Sequence, residues 1–371
     1  MHGKIARWWV AICLLGLSWL GQPAWAQIEI VDQAGRTVRL EKPASRLYLS
    51  EPGDFAVLSM LDPNPARRIV AWNRWRLDPA TLEQWRNIDP EAFDNIAQMA
   101  INGPQNLNAE SLIMHEPDLV VLDHFFGTAT HTISQLERAG IPVAILTLEP
   151  DLRDAKPADG IEKLAILIGH ESRGKEVAKL ITEHRDRVVT RVSRLKAEGK
   201  PLPTVLMEPH AGIGPCCLSM GRQGSMGDLV RLAGGTLIGS EIVEAMSGVL
   251  SPEYVIASDP EIYIGTGGPH LHSRGGLVLG VGVNAQQAAT SLWRTVQRVG
   301  LAQSRAVRDR RSYGIWHGGL AIVHLELIAK WLHPDEFHDL DPAATQAEIN
   351  QRFMARPLTG TFWTALSGAD Q

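Results

Sequence analysis

The sequence predicts an α/β protein built as two Rossmann-like lobes joined by a single long helix. Three observations carry that expectation. Strand and helix signals alternate along two separate stretches of the 371 residues. One uninterrupted amphipathic helix lies between those stretches, and one helix–strand unit occurs twice. Alternation of this kind places helices on the faces of a parallel sheet.

Residues 1–26 stand apart as a signal peptide. Lys4 and Arg7 give a basic start, Trp8 to Leu20 is almost wholly apolar, and Ala24-Trp25-Ala26 supplies the small-x-small cleavage pattern. The apolar run is short for a membrane span. Cys13 lies mid-run behind Ile12, where a lipid-attachment site needs a small residue, so the expectation is an exported periplasmic protein beginning near Gln27 and not a lipoprotein. Losing Lys4 and Arg7 makes the net charge of −5 more negative by two. That balance argues against nucleic acid, whose phosphates demand a basic face. The remaining cysteines are adjacent, Cys216 and Cys217, and cannot staple distant segments, so the core must hold the fold.

The first lobe is expected over 27–158. "IEIVDQAGRTVRL" alternates around a turn at Ala34-Gly35, "RLYLS" follows Pro43, and "RRIVAW", "PDLVVLD" and "PVAILTL" read as buried strands. "HTISQLERAG" is a helix closed by its glycine. Connecting helices are expected over 159–199. "DGIEKLAILIGH" is one, and "ESRGKEVAKLITEHRDRVVTRVSRLKAEG" is a second of about 28 residues with a stripe of Val177, Leu180, Ile181, Val188, Val192 and Leu195. Pro201 and Pro203 end it. Alternation resumes over 200–335 with "TVLME", a glycine-rich segment "GPCCLSMGRQGSMGDLVRLAGG", "PEIYIGTGG" and "RSYGIWHG", and residues 336–371 read as a helical tail. The repeated unit is "NAESLIMHEPDLVV" from Asn108 and "SPEYVIASDPEIYI" from Ser251. Each has a capping residue, an early glutamate (Glu110, Glu253), a short helix, a proline and a strand, with Pro252 at the first helical position.

With these pieces in order from about residue 29 to 330, the chain resembles the helix-linked class of periplasmic substrate-binding proteins that serve ABC importers of ferric siderophores, haem and vitamin B12. "VDQAGRTVRLEKPASRLYLS", "AGIPVAILTL", "GDLVRLAGG", both repeat copies and the long helix carry the resemblance. The tail "IAKWLHPDEFHDLDPAATQAEINQRF" resembles a branch that binds iron complexes. Read alone, Glu110 and Glu253 each complement a helix dipole, an effect below about 1 kcal/mol. The resemblance implies a second role, contact with arginine pockets on the two subunits of an inner-membrane permease dimer, one acid per lobe.

Ligand is expected in a cleft between the lobes, at the carboxyl ends of the strands. Four loops end there. They carry Trp72, Arg74, Trp75 and Arg76; His124, Phe125 and Phe126; His270, His272 and Arg274; and Trp316 with His317. Arg222 joins them from the glycine-rich segment, whose glycines let backbone approach a bulky ligand and whose helix start suits an anion. Arginine beside indole suits a planar, anionic metal chelate. Each residue has an ordinary alternative: a loop tryptophan packs lobe edges and a surface arginine is solvated. His270-Leu271-His272 lacks the third and fourth ligands of a dedicated metal site, so no metal site and no resident cofactor are expected. Cys216 and Cys217 either close a vicinal disulfide or stay as small buried residues.

An enzyme reading finds little support. The chain has no G-x-S-x-G elbow, nucleotide-binding lysine loop or H-E-x-x-H. Asp123-His124 would start a triad, but Ser219 and Ser225 lack a nucleophile's setting, so an exported α/β hydrolase ranks behind a carrier. The expectation is a monomeric, non-enzymatic carrier of a small-molecule metal chelate. A ferric siderophore leads; haem, a corrinoid and a nickel or cobalt chelate stand as alternatives.

Overall fold

The computed structural model describes residues 27–366 apart from Arg76 and Ser225; the signal-peptide expectation lies outside the described residues. The chain opens with the antiparallel hairpin Ile28–Val31 and Thr37–Leu40. Five parallel strands then form the first sheet in the order Ala97–Met99, Ile69–Asn73, Leu47–Leu49, Leu119–Leu122, Val143–Ile145. Its central strands are continuous apolar runs because helices cover both faces. The helix Thr130–Arg138 stops where the sequence places its glycine. Gly140 takes φ +79°, and the Ile141 amide donates to the Leu136 carbonyl at 3.0 Å, a left-handed stop that glycine adopts without steric cost.

The second sheet runs Thr236–Leu237, Thr204–Glu208, Ile262–Gly267, Ser312–Trp316 in parallel, closed by the antiparallel edge Trp363–Ala365. That edge corrects the expected helical tail. After the helix Pro342–Arg352 the chain meets Pro357 and Gly360, and "FWTA" supplies β-branched and aromatic residues that pair Trp363 with Ile315. On the way, the segment touches the first lobe. The Ala355 amide donates to Ser59 Oγ at 3.3 Å, Arg356 Nη1 donates to the Asn87 carbonyl at 2.8 Å, and the Thr359 amide donates to Gln84 Oε1 at 2.8 Å. This segment therefore joins the two lobes in addition to the long helix, as does the ion pair of Arg153 with Asp228 at 2.9 Å.

The principal connection is the helix Glu171–Ala197, 27 residues long. Its buried stripe contains every apolar residue the periodicity picks out, Val177, Leu180, Ile181, Val188, Val192 and Leu195. One apolar core runs from Leu47 and Leu119 of the first sheet through this stripe to Val205 and Ile262 of the second. A buried pair joins the same helix to the helix Ala321–Leu332: His184 Nδ1 lies 2.7 Å from Glu326 Oε1, and Glu326 is 0 % exposed. Among the described residues no helix is long and apolar enough to cross a membrane.

Candidate functional site

The repeat forms as expected. Asn108 caps Ala109–Ile113 by accepting from the Ser111 amide at 2.8 Å, and Ser251 caps Pro252–Ser258 by accepting from the Tyr254 amide at 3.2 Å. Glu110 and Glu253 are both exposed.

At the carboxyl end of the second sheet three histidines from three strands meet. His210 follows Thr204–Glu208, His270 follows Ile262–Gly267 and His317 follows Ser312–Trp316. Their ring centroids lie 5.8, 5.6 and 5.1 Å apart, and all three residues are exposed. Backbone ties fix the triangle. The His210 amide donates to Thr266 Oγ1 at 3.0 Å, and the His317 amide donates to the Gly267 carbonyl at 3.1 Å. Gly268 lets the rings close, because a Cβ there would lie 2.4 Å from His317 Cε1 and 2.7 Å from His270 Cε1. His317 Nδ1 sits 2.6 Å from the Gly267 carbonyl oxygen; a carbonyl only accepts, so Nδ1 carries the proton and Nε2 keeps its lone pair. Burial among neighbouring loops, reinforced by His270 and His210, pulls the His317 pKa down to about 4, which leaves the ring neutral at pH 7. Burial and His210 lower His270 as well. Beneath them His324 is 3 % exposed and held near 3 by burial.

The first sheet ends in carboxylates. Burial, then Asp123 and Glu149, push the Glu51 carboxyl up to about 7. Asp54 is raised well above its ordinary value and Glu149 is raised, burial leading in both. Asp123 accepts from Thr147 Oγ1 at 2.6 Å and from the Phe125 amide at 2.8 Å. Across the lobes, the charge of Asp78 at the start of the first-lobe helix Pro79–Arg86 acts on His270 and His317.

Glu51 makes a measurable prediction. A carboxyl raised in the folded state binds more protons than the unfolded chain between its ordinary 4.5 and about 7. Its contribution to stability therefore falls as pH rises through that window. Glu51→Gln is expected to raise the melting temperature at pH 8 by about 2 °C or more and to give a shrinking gain towards pH 5. Calorimetry at the two pH values checks it, and an equal gain at both rejects the assignment.

Several expected contacts fall elsewhere. Trp72 is 0 % exposed, stacks on Phe55 at 5.1 Å and donates through Nε1 to the Glu51 carbonyl at 3.0 Å, so it is core and offers no surface to ligand. Arg74 turns back over that cluster, its guanidinium 4.4 Å from the Phe93 ring centre and 5.1 Å from that of Trp72. Trp316 is 5 % exposed, packed on Phe362 and flush against Gly280, a floor under the histidines and not a contact face. Arg222 pairs with Glu244 at 2.8 Å along the ribbon formed by Leu218–Met220 and Ser247–Val249. His124, Trp75 and Arg274 stay on strand-end loops, His124 and Arg274 exposed and Trp75 half-buried; Arg76 and Ser225 lie outside the described residues. Cys216 and Cys217 are joined as a vicinal disulfide and buried. Glu208 is likewise structural. It forms a buried pair with Arg298 and accepts from Tyr263 Oη at 2.6 Å, and Arg298 Nη1 donates to the Gly214 carbonyl at 3.4 Å, anchoring the glycine-rich segment.

The sequence reading missed His210 and the joint environment of Glu51, Asp54, Asp123 and Glu149. The strand-end rule that finds His270 and His317 also points to His210, two residues past "TVLME". Among the described residues no group of three or more His, Cys, Asp or Glu side chains is arranged to hold a bare metal ion.

Two largely parallel sheets on a shared helix make a two-lobed α/β protein, the architecture in which strand ends commonly carry a binding site. The chain belongs to the periplasmic binding protein family, whose sequence profile matches residues 72–315. Proteins of this family are substrate-binding components that work with ABC permeases, act outside the cytoplasm and are generally non-enzymatic. The fold is similar to the TroA-like periplasmic binding protein FepB of Veillonella parvula (TM-score 0.83, 25% identity, 92% of this chain and 100% of that one). It is also similar to Helicobacter pylori CeuE with Ni(II) bound (TM-score 0.60, 16% identity, 88% and 95% covered) and to a periplasmic heme-binding protein of Pseudomonas aeruginosa (TM-score 0.51, 19% identity, 79% and 94% covered). No curated protein matches the sequence.

Proposed function

We propose that this protein is the soluble, monomeric carrier of an ABC importer for a metal chelate, exported to the periplasm and docked on its permease dimer through Glu110 and Glu253. The observation that carries the ligand class is the triangle of His210, His270 and His317, with the His317 Nε2 lone pair kept available by the Gly267 carbonyl. A neutral, pre-oriented imidazole suits a vacant coordination position on iron, nickel, cobalt or haem iron. A chelate supplies the remaining donors, so a complete protein cage is unnecessary. A ferric siderophore remains the leading cargo.

One observation favours a second cargo. Burial first, and then neighbouring carboxylates with Asp123 among them, raise the proton affinity of Glu51, Asp54 and Glu149, and such a wall welcomes positive charge or hydrogen-bond donors over an anionic catecholate. A nickel or cobalt chelate of net positive charge fits that wall. The Ni(II) bound to the Helicobacter neighbour is compatible with this alternative.

The reading is of binding without chemistry. His124 Nδ1 lies 3.0 Å from Thr147 Oγ1, but that hydroxyl already donates to Asp123 at 2.6 Å. The base is therefore not positioned to take its proton, as a nucleophile requires. The test is to purify the mature protein from its native periplasm and record its absorption spectrum and the mass of the co-purified ligand. A metal-complex band and a chelate mass are expected. Ester or phosphate turnover with no chelate binding would reject the carrier role.

A further inference from the structure

The two repeated helices present more than their glutamates. Within each copy the register is the same: Leu112 and Val255 are both 0 % exposed and turn inward, while Ile113 and Ile256 are 36 % and 56 % exposed. Each isoleucine stands three residues after its glutamate, on the same helical face. Met114 at 78 % widens the first patch. Val249 at 77 % and Val299 at 80 % flank the second, the latter through Gly300, which packs against Pro252. A single exposed aliphatic residue is ordinary on any surface. The same residue beside the same acid in both lobes is not accounted for by folding, because Leu112 and Val255 already serve the core.

We infer that Ile113 and Ile256 are paired apolar anchors for the permease, one for each of two matching membrane subunits. The occupant follows from the repeat: two copies of one acid-plus-aliphatic unit on two lobes fit a partner that offers two copies of one basic, apolar-lined socket. The glutamate steers and orients, and the desolvated isoleucine sets the lifetime of the contact. This inference rests on the docking reading under the proposed function.

A photo-crosslinking phenylalanine analogue placed at Ile113 or at Ile256, in the full chain within its native periplasm, tests it. Both positions are expected to yield a product whose mass identifies an ABC permease subunit, the same polypeptide from each. A product with a second copy of this chain overturns the inference. In a second measurement the probe sits at exposed Ala257, and Ile113→Asp with Ile256→Asp is expected to lower its permease yield about tenfold, while quenching of the tryptophans by a ferric catecholate stays unchanged and shows an intact cleft. An undiminished yield from Ala257 in that double variant rejects the anchors and leaves docking standing. If Glu110→Arg with Glu253→Arg also leaves the yield undiminished, the docking reading itself fails.

Discussion

His317→Ala is expected to weaken binding of the metal chelate by about 100-fold and to abolish the change in its absorption spectrum on binding. The size follows from what the substitution removes. The ring is neutral at pH 7, its Nδ1 proton is committed to the Gly267 carbonyl, and its Nε2 keeps a lone pair for a metal. His270→Ala, which leaves that donor in place, is expected to weaken binding about tenfold by loosening the packing around it. Because the His317 pKa lies near 4, the wild-type imidazole stays a ligand down to about pH 5. For a positively charged chelate, affinity is therefore expected to fall between pH 8 and 6 as Glu51 takes up its proton, and Glu51→Gln should flatten that part of the curve. Titration of the variants with nickel–histidine and with a ferric catecholate supplies the measurement. An unchanged spectrum and affinity in His317→Ala would remove imidazole ligation from the mechanism.

His184→Leu is expected to cost about 3–5 kcal/mol of stability, with ligand affinity untouched in the protein that remains folded. Glu326 is 0 % exposed, and its Oε2 has no hydrogen-bond partner, so the whole compensation of this carboxylate rests on Oε1 and His184 at 2.7 Å. Removing the imidazole leaves a buried acid without a partner. His184→Leu with Glu326→Leu is expected to recover most of the loss, since a packed aliphatic pair has no desolvation cost. Denaturant unfolding of the two variants at pH 7 decides it, and a double variant as unstable as the single would point to packing instead of charge.

Much of the fold was legible because it is periodic. The stripe from Val177 to Leu195 and the paired copies at Asn108 and Ser251 are patterns within one stretch of chain, and local patterns survive without coordinates. The final strand was not legible, because "FWTA" becomes a strand only by pairing with Ile315 about fifty residues earlier. The site divides the same way. His270 and His317 follow from the rule that ligand meets strand ends. Trp72 obeys the same rule, yet Phe55, Trp85 and Phe93, from three other segments, close over it. The effect of Asp123 and Glu149 on Glu51 is a property of three strand ends brought together, and no spacing in the sequence announces it.

The segment from Phe353 to Leu366 has a mechanical consequence. A body fastened to another at one point keeps three rotations; fastened at two, it keeps the one about the line through both. The long helix is the first fastening, and the contacts of Ala355, Arg356 and Thr359 leading into the Trp363 strand are the second. These fastenings, together with the Arg153–Asp228 ion pair at 2.9 Å, hold the lobes against twist and slide. In the docking proposed above, the separation of Glu110 and Glu253 is thereby held within narrow limits and serves as a gauge for a membrane partner with fixed sockets.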